Sequence, residues 1–281
     1  MTVDGEIDFA AWETLLRFHA EHSTDGVVVG GTTGESPTVS AAEMVALTRA
    51  AVRVLRGRIP VIAGASSPST AIAVERAREL SQLGIDGLLA VTPYYNKPPQ
   101  RGLVEHFRQI AAAASVPVIV YNVPSRTAVD LLPATVAELA GVPKIVGIKE
   151  ATGNVERARA IRALCPPSFV ILSGDDATAV DLMEAGATGV ISVTANVAPR
   201  LMHEVCAACA RGELPRAREL DARLRGLHQN LFVEANPIPV KWALHRMALI
   251  PPGLRLPLVP LERRHEAIVH ASLQQAGVLD H

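Results

Sequence analysis

A parallel (β/α)8 barrel is the fold class this sequence predicts, and three observations carry it. Short apolar runs rich in β-branched residues alternate with helical segments seven times, at roughly 25–35-residue spacing and without a linker. The runs are too short for helices and lack polar alternation, as strands covered on both faces must. The polar residues that could do chemistry fall just after strand C-termini, the end where barrel enzymes build their sites. The alternation opens on a helix, so the eighth strand expected of a closed barrel would lie upstream of Met1. An open doubly wound sheet is the structural alternative.

Asp8 reads as the N-cap of a first helix, Phe9 to about Glu21, with Phe9, Trp12, Leu15, Leu16 and His19 on its apolar stripe. Strand Gly26–Gly30 and the loop to Ser36 precede a helix over Ala41–Leu55. Strand Pro60–Gly64 follows, then a helix closed by Gly84 and strand Gly87–Thr92. A stiff aromatic connection, Pro93 to Pro99, leads to a helix over Leu103–Ala114 and strand Val116–Tyr121. A helix entered at Pro133 precedes the run Lys144 to Glu150; a helix over Val155–Leu164 and strand Phe169–Leu172 come next. After a further helix and strand Gly189–Val193, the chain reads as helical, clearest at Leu201–Ala210, Pro215–Leu231 and Val240–Leu249. Residues 1–198 are thus expected to form the barrel and 199–281 a set of C-terminal helices: the last barrel helix plus an extension.

Composition narrows the function. The chain has 281 residues, 49% of them hydrophobic, and a net charge of −1, with basic residues scattered along helices, which gives no reason to expect a nucleic-acid partner. No apolar stretch is long enough to span a membrane, and no leader is visible at Met1. Three cysteines make no disulfide framework, and the Cys206-x-x-Cys209 pair lacks the second pair or histidines that zinc would need. A cytoplasmic protein without a metal is expected.

Lys149 ends an apolar strand, where burial disfavours the ammonium and leaves an amine able to attack a ketone carbonyl and form a Schiff base. Of the 27 basic residues only four are lysines (Lys97, Lys144, Lys149 and Lys241), so a lysine kept inside such a strand argues for chemistry that guanidinium cannot do. The plainer alternative is a lysine that snorkels to the strand end and pairs with a carboxylate such as Glu150. Strict alternation places Ile145, Gly147 and Lys149 on one face. Tyr121 ends the preceding strand, within reach of an imine nitrogen if the two strands are neighbours. Arg126 could clamp a substrate carboxylate, or sit on the surface. Gly30-Gly-Thr-Thr-Gly-Glu lacks the ending of a phosphate loop; Thr32 and Thr33 suit a carboxylate better.

Seven motifs together resemble the dihydrodipicolinate synthase family, within the pyruvate-dependent Schiff-base lyases that include N-acetylneuraminate lyase. They are GTTGESPT (31–38), VTPYYNKP (91–98), VYNVPSRTA (120–128), VGIKEATGN (146–154), LSGDD (172–176), GVISVTANV (189–197) and NPIPVKWAL (236–244). The resemblance implies condensation of pyruvate with L-aspartate 4-semialdehyde to 4-hydroxy-tetrahydrodipicolinate, in diaminopimelate and lysine biosynthesis. It implies no cofactor beyond pyruvate itself, held as an imine on Lys149. Tyr121 would relay protons with Thr32. Thr33 and the Ile191 carbonyl would meet pyruvate, and Arg126 and the Gly174 backbone the second substrate. Tyr95 would enter a neighbouring subunit's site, implying a homodimer or a dimer of dimers. A related aldolase or lyase acting on a sugar-derived 2-keto acid, or a non-catalytic paralogue, is the alternative. Where lysine-inhibited relatives carry feedback ligands, this chain has Ala41, Met44, Pro68 and Ile72, keeping only Tyr94, which predicts weak or absent lysine inhibition.

Overall fold

The computed structural model describes residues 1–279, in an α/β fold. They form helix α1 (Phe9–Glu21), strand β1 (Val27–Val29), α2 (Ala41–Leu55), β2 (Val61–Gly64), α3 (Thr70–Leu80), β3 (Gly87–Val91), α4 (Gln100–Ala113) and β4 (Val118–Asn122). The single turn α5 (Pro124–Thr127), α6 (Pro133–Ala140), β5 (Ile145–Glu150), α7 (Val155–Leu164), β6 (Val170–Ser173), α8 (Ala179–Glu184) and β7 (Gly189–Val190) follow. Helices α9 (Pro199–Ala210), α10 (Leu214–Asn230), α11 (Ile238–Arg246) and α12 (Arg263–Gln275) complete the described chain, and none is long and apolar enough to cross a membrane. The last two residues of the expected C-terminal helical segment lie outside the described residues.

These elements group into two compact units, residues 61–191 and residues 1–60 with the described chain from 192 onward. In the first, β2 to β7 form a parallel sheet in chain order, each strand beside its successor, as short right-handed crossovers through helices produce. Every residue of β4 is buried, including Val118 and Val120, and the fully buried Leu103, Phe107 and Ile110 of α4 belong to the same core. In the second unit, α1 begins where Asp8 accepts a hydrogen bond from the Ala11 amide at 2.9 Å. A capping box opens α2: Glu43 N donates to Ser40 Oγ at 3.2 Å, and Ser40 N donates to Glu43 Oε2 at 2.8 Å. Helices α1 and α2 meet through the Trp12 indole, which donates to the Leu47 carbonyl at 3.1 Å; α10 and α12 meet where Asn230 donates to Ser272 at 2.9 Å.

Several expectations need correction. Strands β1 and β7 are shorter than Gly26–Gly30 and Gly189–Val193, because the backbone turns into one-turn 3-10 helices soon after each. Phe9 is exposed; of the expected apolar stripe only Leu16 is buried. The alternation along β5 is broken: Val118 pairs with Ile145 and Ile119 with Gly147, so Val146 bulges out without a partner and is exposed. One extra residue inverts the phase, so Ile145 lies on the face opposite Gly147 and Lys149.

Gly147 itself is required. A Cβ there would sit 2.6 Å from the Val170 carbonyl oxygen and 2.8 Å from the Val170 Cβ, inside the β5–β6 ladder. Gly147→Ala is therefore expected to destabilise the fold by about 1–3 kcal/mol through overpacking, seen as a lower urea midpoint at unchanged m-value.

Candidate active site

Lys149 and Tyr121 are register partners on adjacent parallel strands, and their side chains leave the same face. The ammonium nitrogen stands 4.3 Å from the centre of the phenol ring. Burial lowers the Lys149 pKa from 10.5 to about 8; the Asp176 carboxylate pulls it back up and the Arg126 guanidinium pushes it further down. The side chain is half-buried: surrounded closely enough to lose hydration, and still accessible. Tyr121 is buried.

Room for the lysine comes from the next strand end. A Cβ on Gly174 would lie 2.9 Å from Lys149 Cε and 2.5 Å from Ala151 Cβ, so only glycine lets the chain pass there. Gly174 N donates to the Glu150 carbonyl at 2.7 Å and Ile191 N to the Ser173 carbonyl at 2.9 Å, which carries the ladder into these loops. Arg126 lies exposed on the single turn α5, directly after β4. Tyr95 is 92% exposed with φ of 73°, at the tip of the aromatic connection after β3.

Glu150 is not a partner for Lys149. Alternation sends it to the opposite face, where it is fully buried and accepts from Asn122, Thr152 and Arg157. The snorkelling alternative thus loses Glu150 as its carboxylate.

Thr32 and Thr33 lie in the other unit, on a one-turn 3-10 helix, Thr32–Gly34, both half-buried. Asn236 Nδ2 donates to Thr33 Oγ1 at 3.1 Å, a contact across 203 positions of sequence. The turn is fixed from below by Glu35, which is buried with φ of 56°. Its carboxylate pairs with Lys241 and accepts the Arg255 amide at 3.0 Å. Sequence reasoning quoted the motifs holding Glu35, Asn236, Lys241 and Asp176 without giving these residues a role; the pairing of charges within apolar motifs was the available signal. Among the described residues one His–carboxylate group, Glu234, Glu262 and His265, could approach a metal ion. Arg264 already engages it, at 2.8 Å from Glu262 and 3.2 Å from His265 Nε2.

Holding an ammonium in this environment opposes folding. A fall from 10.5 to about 8 corresponds to roughly 3 kcal/mol at about 1.4 kcal/mol per pH unit. The unfolded chain binds the extra proton between those two values, so stability rises with pH across that interval. Lys149→Met is expected to fold more stably than the natural chain by up to roughly 3 kcal/mol at neutral pH. The gain should shrink above about pH 8 and vanish above the unfolded lysine's pKa, as paired urea titrations would read.

Comparison with known proteins shows the family. The model of the dihydrodipicolinate synthetase family matches residues 1–276. The chain is 52% identical over 279 residues to the 4-hydroxy-tetrahydrodipicolinate synthase of Thiobacillus denitrificans, covering 99% of this chain and 94% of the relative. To the enzyme of the same name from Dechloromonas aromatica it is 50% identical over 279 residues, covering 99% and 96%. The solved dihydrodipicolinate synthase of Acinetobacter baumannii, in complex with pyruvate, superposes with a TM-score of 0.98 at 46% identity, covering 99% of this chain and 96% of that one. With the family model matching residues 1–276 and relatives half identical over 99% of its length, this protein is a member of the dihydrodipicolinate synthetase family.

Proposed function

We propose that this protein is a lyase that condenses pyruvate with L-aspartate 4-semialdehyde to give 4-hydroxy-tetrahydrodipicolinate, a step toward diaminopimelate and lysine. The observation that carries the reading is Lys149: a lysine whose pKa is lowered to about 8, 4.3 Å from the Tyr121 ring, in a chain about half identical to enzymes of that name.

The neutral amine of Lys149 adds to the keto carbon of pyruvate. Tyr121 passes protons on and off the carbinolamine, whose hydroxyl leaves as water to give the imine. Loss of a methyl proton yields the enamine, whose carbon attacks the aldehyde of the second substrate. The substrate's own amine then displaces Lys149 at the imine carbon, closing the ring and freeing the enzyme. Thr32 supplies a hydroxyl to the proton relay, and Thr33 and the Ile191 carbonyl bind the pyruvate moiety. Arg126 takes the carboxylate of the semialdehyde, with the Gly174 backbone beside it; Tyr95, so exposed in a single chain, enters the site of a second copy. No cofactor other than the covalently held pyruvate is needed, because the imine nitrogen is the electron sink.

This reading brings with it a cytoplasmic homo-oligomer, a dimer or a dimer of dimers, with small-molecule substrates and neither nucleic acid nor membrane as partner. Residues 1–198 act as the barrel, and helices α9 to α12 that follow as the C-terminal segment.

Incubation with pyruvate and borohydride is expected to leave a stable adduct on Lys149, absent in Lys149→Ala; no adduct on the natural chain would sink the reading. The trapping rate should rise with pH through a midpoint near 8 as the ammonium of Lys149 loses its proton. Arg126→Ala should raise KM for the semialdehyde roughly 10–100-fold, the loss of a charge-assisted carboxylate contact, while trapping of pyruvate persists. Equal turnover of sugar-derived 2-keto acids would instead favour the related lyases. L-Lysine is expected to inhibit only above about a millimolar, a free energy near −4 kcal/mol, because Ala41, Met44, Pro68 and Ile72 offer no charge or hydrogen bond to an amino acid.

A further inference from the structure

Behind the reacting pair, on the opposite face of the same two strands, lies a second pair. Register matches Asn122 with Glu150 just as it matches Tyr121 with Lys149. Asn122 Nδ2 donates to Glu150 Oε2 at 3.1 Å and to Asp130 Oδ1 at 3.0 Å, and Asn122 Oδ1 accepts the Leu131 amide at 2.9 Å. Glu150 also accepts Arg157 Nε at 3.0 Å and the Thr152 amide at 2.9 Å. Arg157 closes the ring by forking onto Asp130, at 2.8 and 3.1 Å, and by reaching the Leu131 carbonyl. Glu150 and Asn122 are fully buried.

Stability alone does not account for this arrangement. A buried ion pair is often no better for stability than apolar side chains of the same volume, and it adds fixed lengths and directions that apolar packing lacks. Those directions are needed here, because the bulge at Val146 breaks the hydrophobic phase that would otherwise set the register of β5. Beyond the bulge, the chain must be pinned by some other contact, and Asn122–Glu150 is one residue from the chemistry on both strands.

We propose that Asn122, Glu150, Asp130 and Arg157 are positioning residues that clamp the C-terminal ends of β4 and β5 so that Tyr121 and Lys149 face each other in reacting geometry. The role rests on the Schiff-base reading of Lys149. None of the four touches substrate; each acts through the strand it holds.

Two variants keep side-chain volume while breaking the clamp. Glu150→Gln removes one of the two charges that hold Arg157, and Arg157→Lys keeps the charge but loses the planar fork. In the folded fraction of either, the rate of borohydride trapping at saturating pyruvate is expected to fall roughly 10–100-fold, as for a displacement on the order of 1 Å, with half-saturating pyruvate unchanged. Combining Glu150→Gln with Tyr121→Phe should cost little beyond the slower single variant, because the clamp acts through that tyrosine. A second readout does not involve pyruvate: the pH midpoint of Lys149 labelling by a small amine reagent. Asp176 and Arg126 are the charges acting on this lysine, and neither changes in Arg157→Lys, so a rise in midpoint reports water readmitted around the amine. Folded variants that trap pyruvate at the natural rate, or keep the natural labelling midpoint, would overturn the proposal, as would losses that multiply in the double variant. A natural chain that traps no pyruvate sinks the reaction instead, and the labelling midpoint of Arg157→Lys still judges the clamp.

Discussion

The cost of keeping an ammonium away from water sets the terms for everything around Lys149. Three influences act on its charge, and they do not balance. Burial disfavours the ammonium most strongly, Arg126 adds to it, and the attraction of Asp176 is too weak to restore the ordinary pKa of 10.5. With a value of about 8, roughly one lysine in ten is a free amine at neutral pH. A deeper pocket would raise that fraction and close the nitrogen to anything outside. The half-buried position leaves the amine both partly deprotonated and accessible.

That compromise is built from backbone more than from side chains. Parallel pairing brings the ends of β4 and β5 side by side, so two residues 28 positions apart share one face. Gly174 then lets the following strand end pass where any Cβ would press on Lys149. Neither feature depends on what the exposed loops do. The scaffold's constraints account for Lys149 and Tyr121 sitting on strands while the more exposed residues, Arg126 and Tyr95, sit on a single turn and a loop tip.

Much of this was legible in the chain. Repeated short apolar runs and helices fixed the order of strands, and a lysine in an apolar run is conspicuous wherever arginine is the usual cation. The bulge at Val146 was not legible, because one added residue leaves the composition of the run unchanged and alters only its phase. The exposure of Phe9 was missed for a related reason: period alone marks a stripe, and only neighbouring elements decide how far along the helix it is covered. The contact of Asn236 with Thr33, and behind Lys149 those of Asn122 with Glu150 and of Arg157 with Asp130, join residues far apart in sequence, so no local pattern announces them.

The buried carboxylates explain how local motifs come to hold distant anchors. Glu35 follows the two threonines and Glu150 follows the lysine; each is buried, and each is held by a cation from a later helix. A carboxylate enclosed in this way must be satisfied by several donors or be expelled, so it fixes the backbone beside it. The lysines divide along the same line. Lys241 gives its ammonium to Glu35 and Lys144 to the Ala114 carbonyl. Lys149 stands instead over the face of a tyrosine, an acceptor weak enough to release it. Strong partners hold the frame, and the Lys149 amine has a weak one.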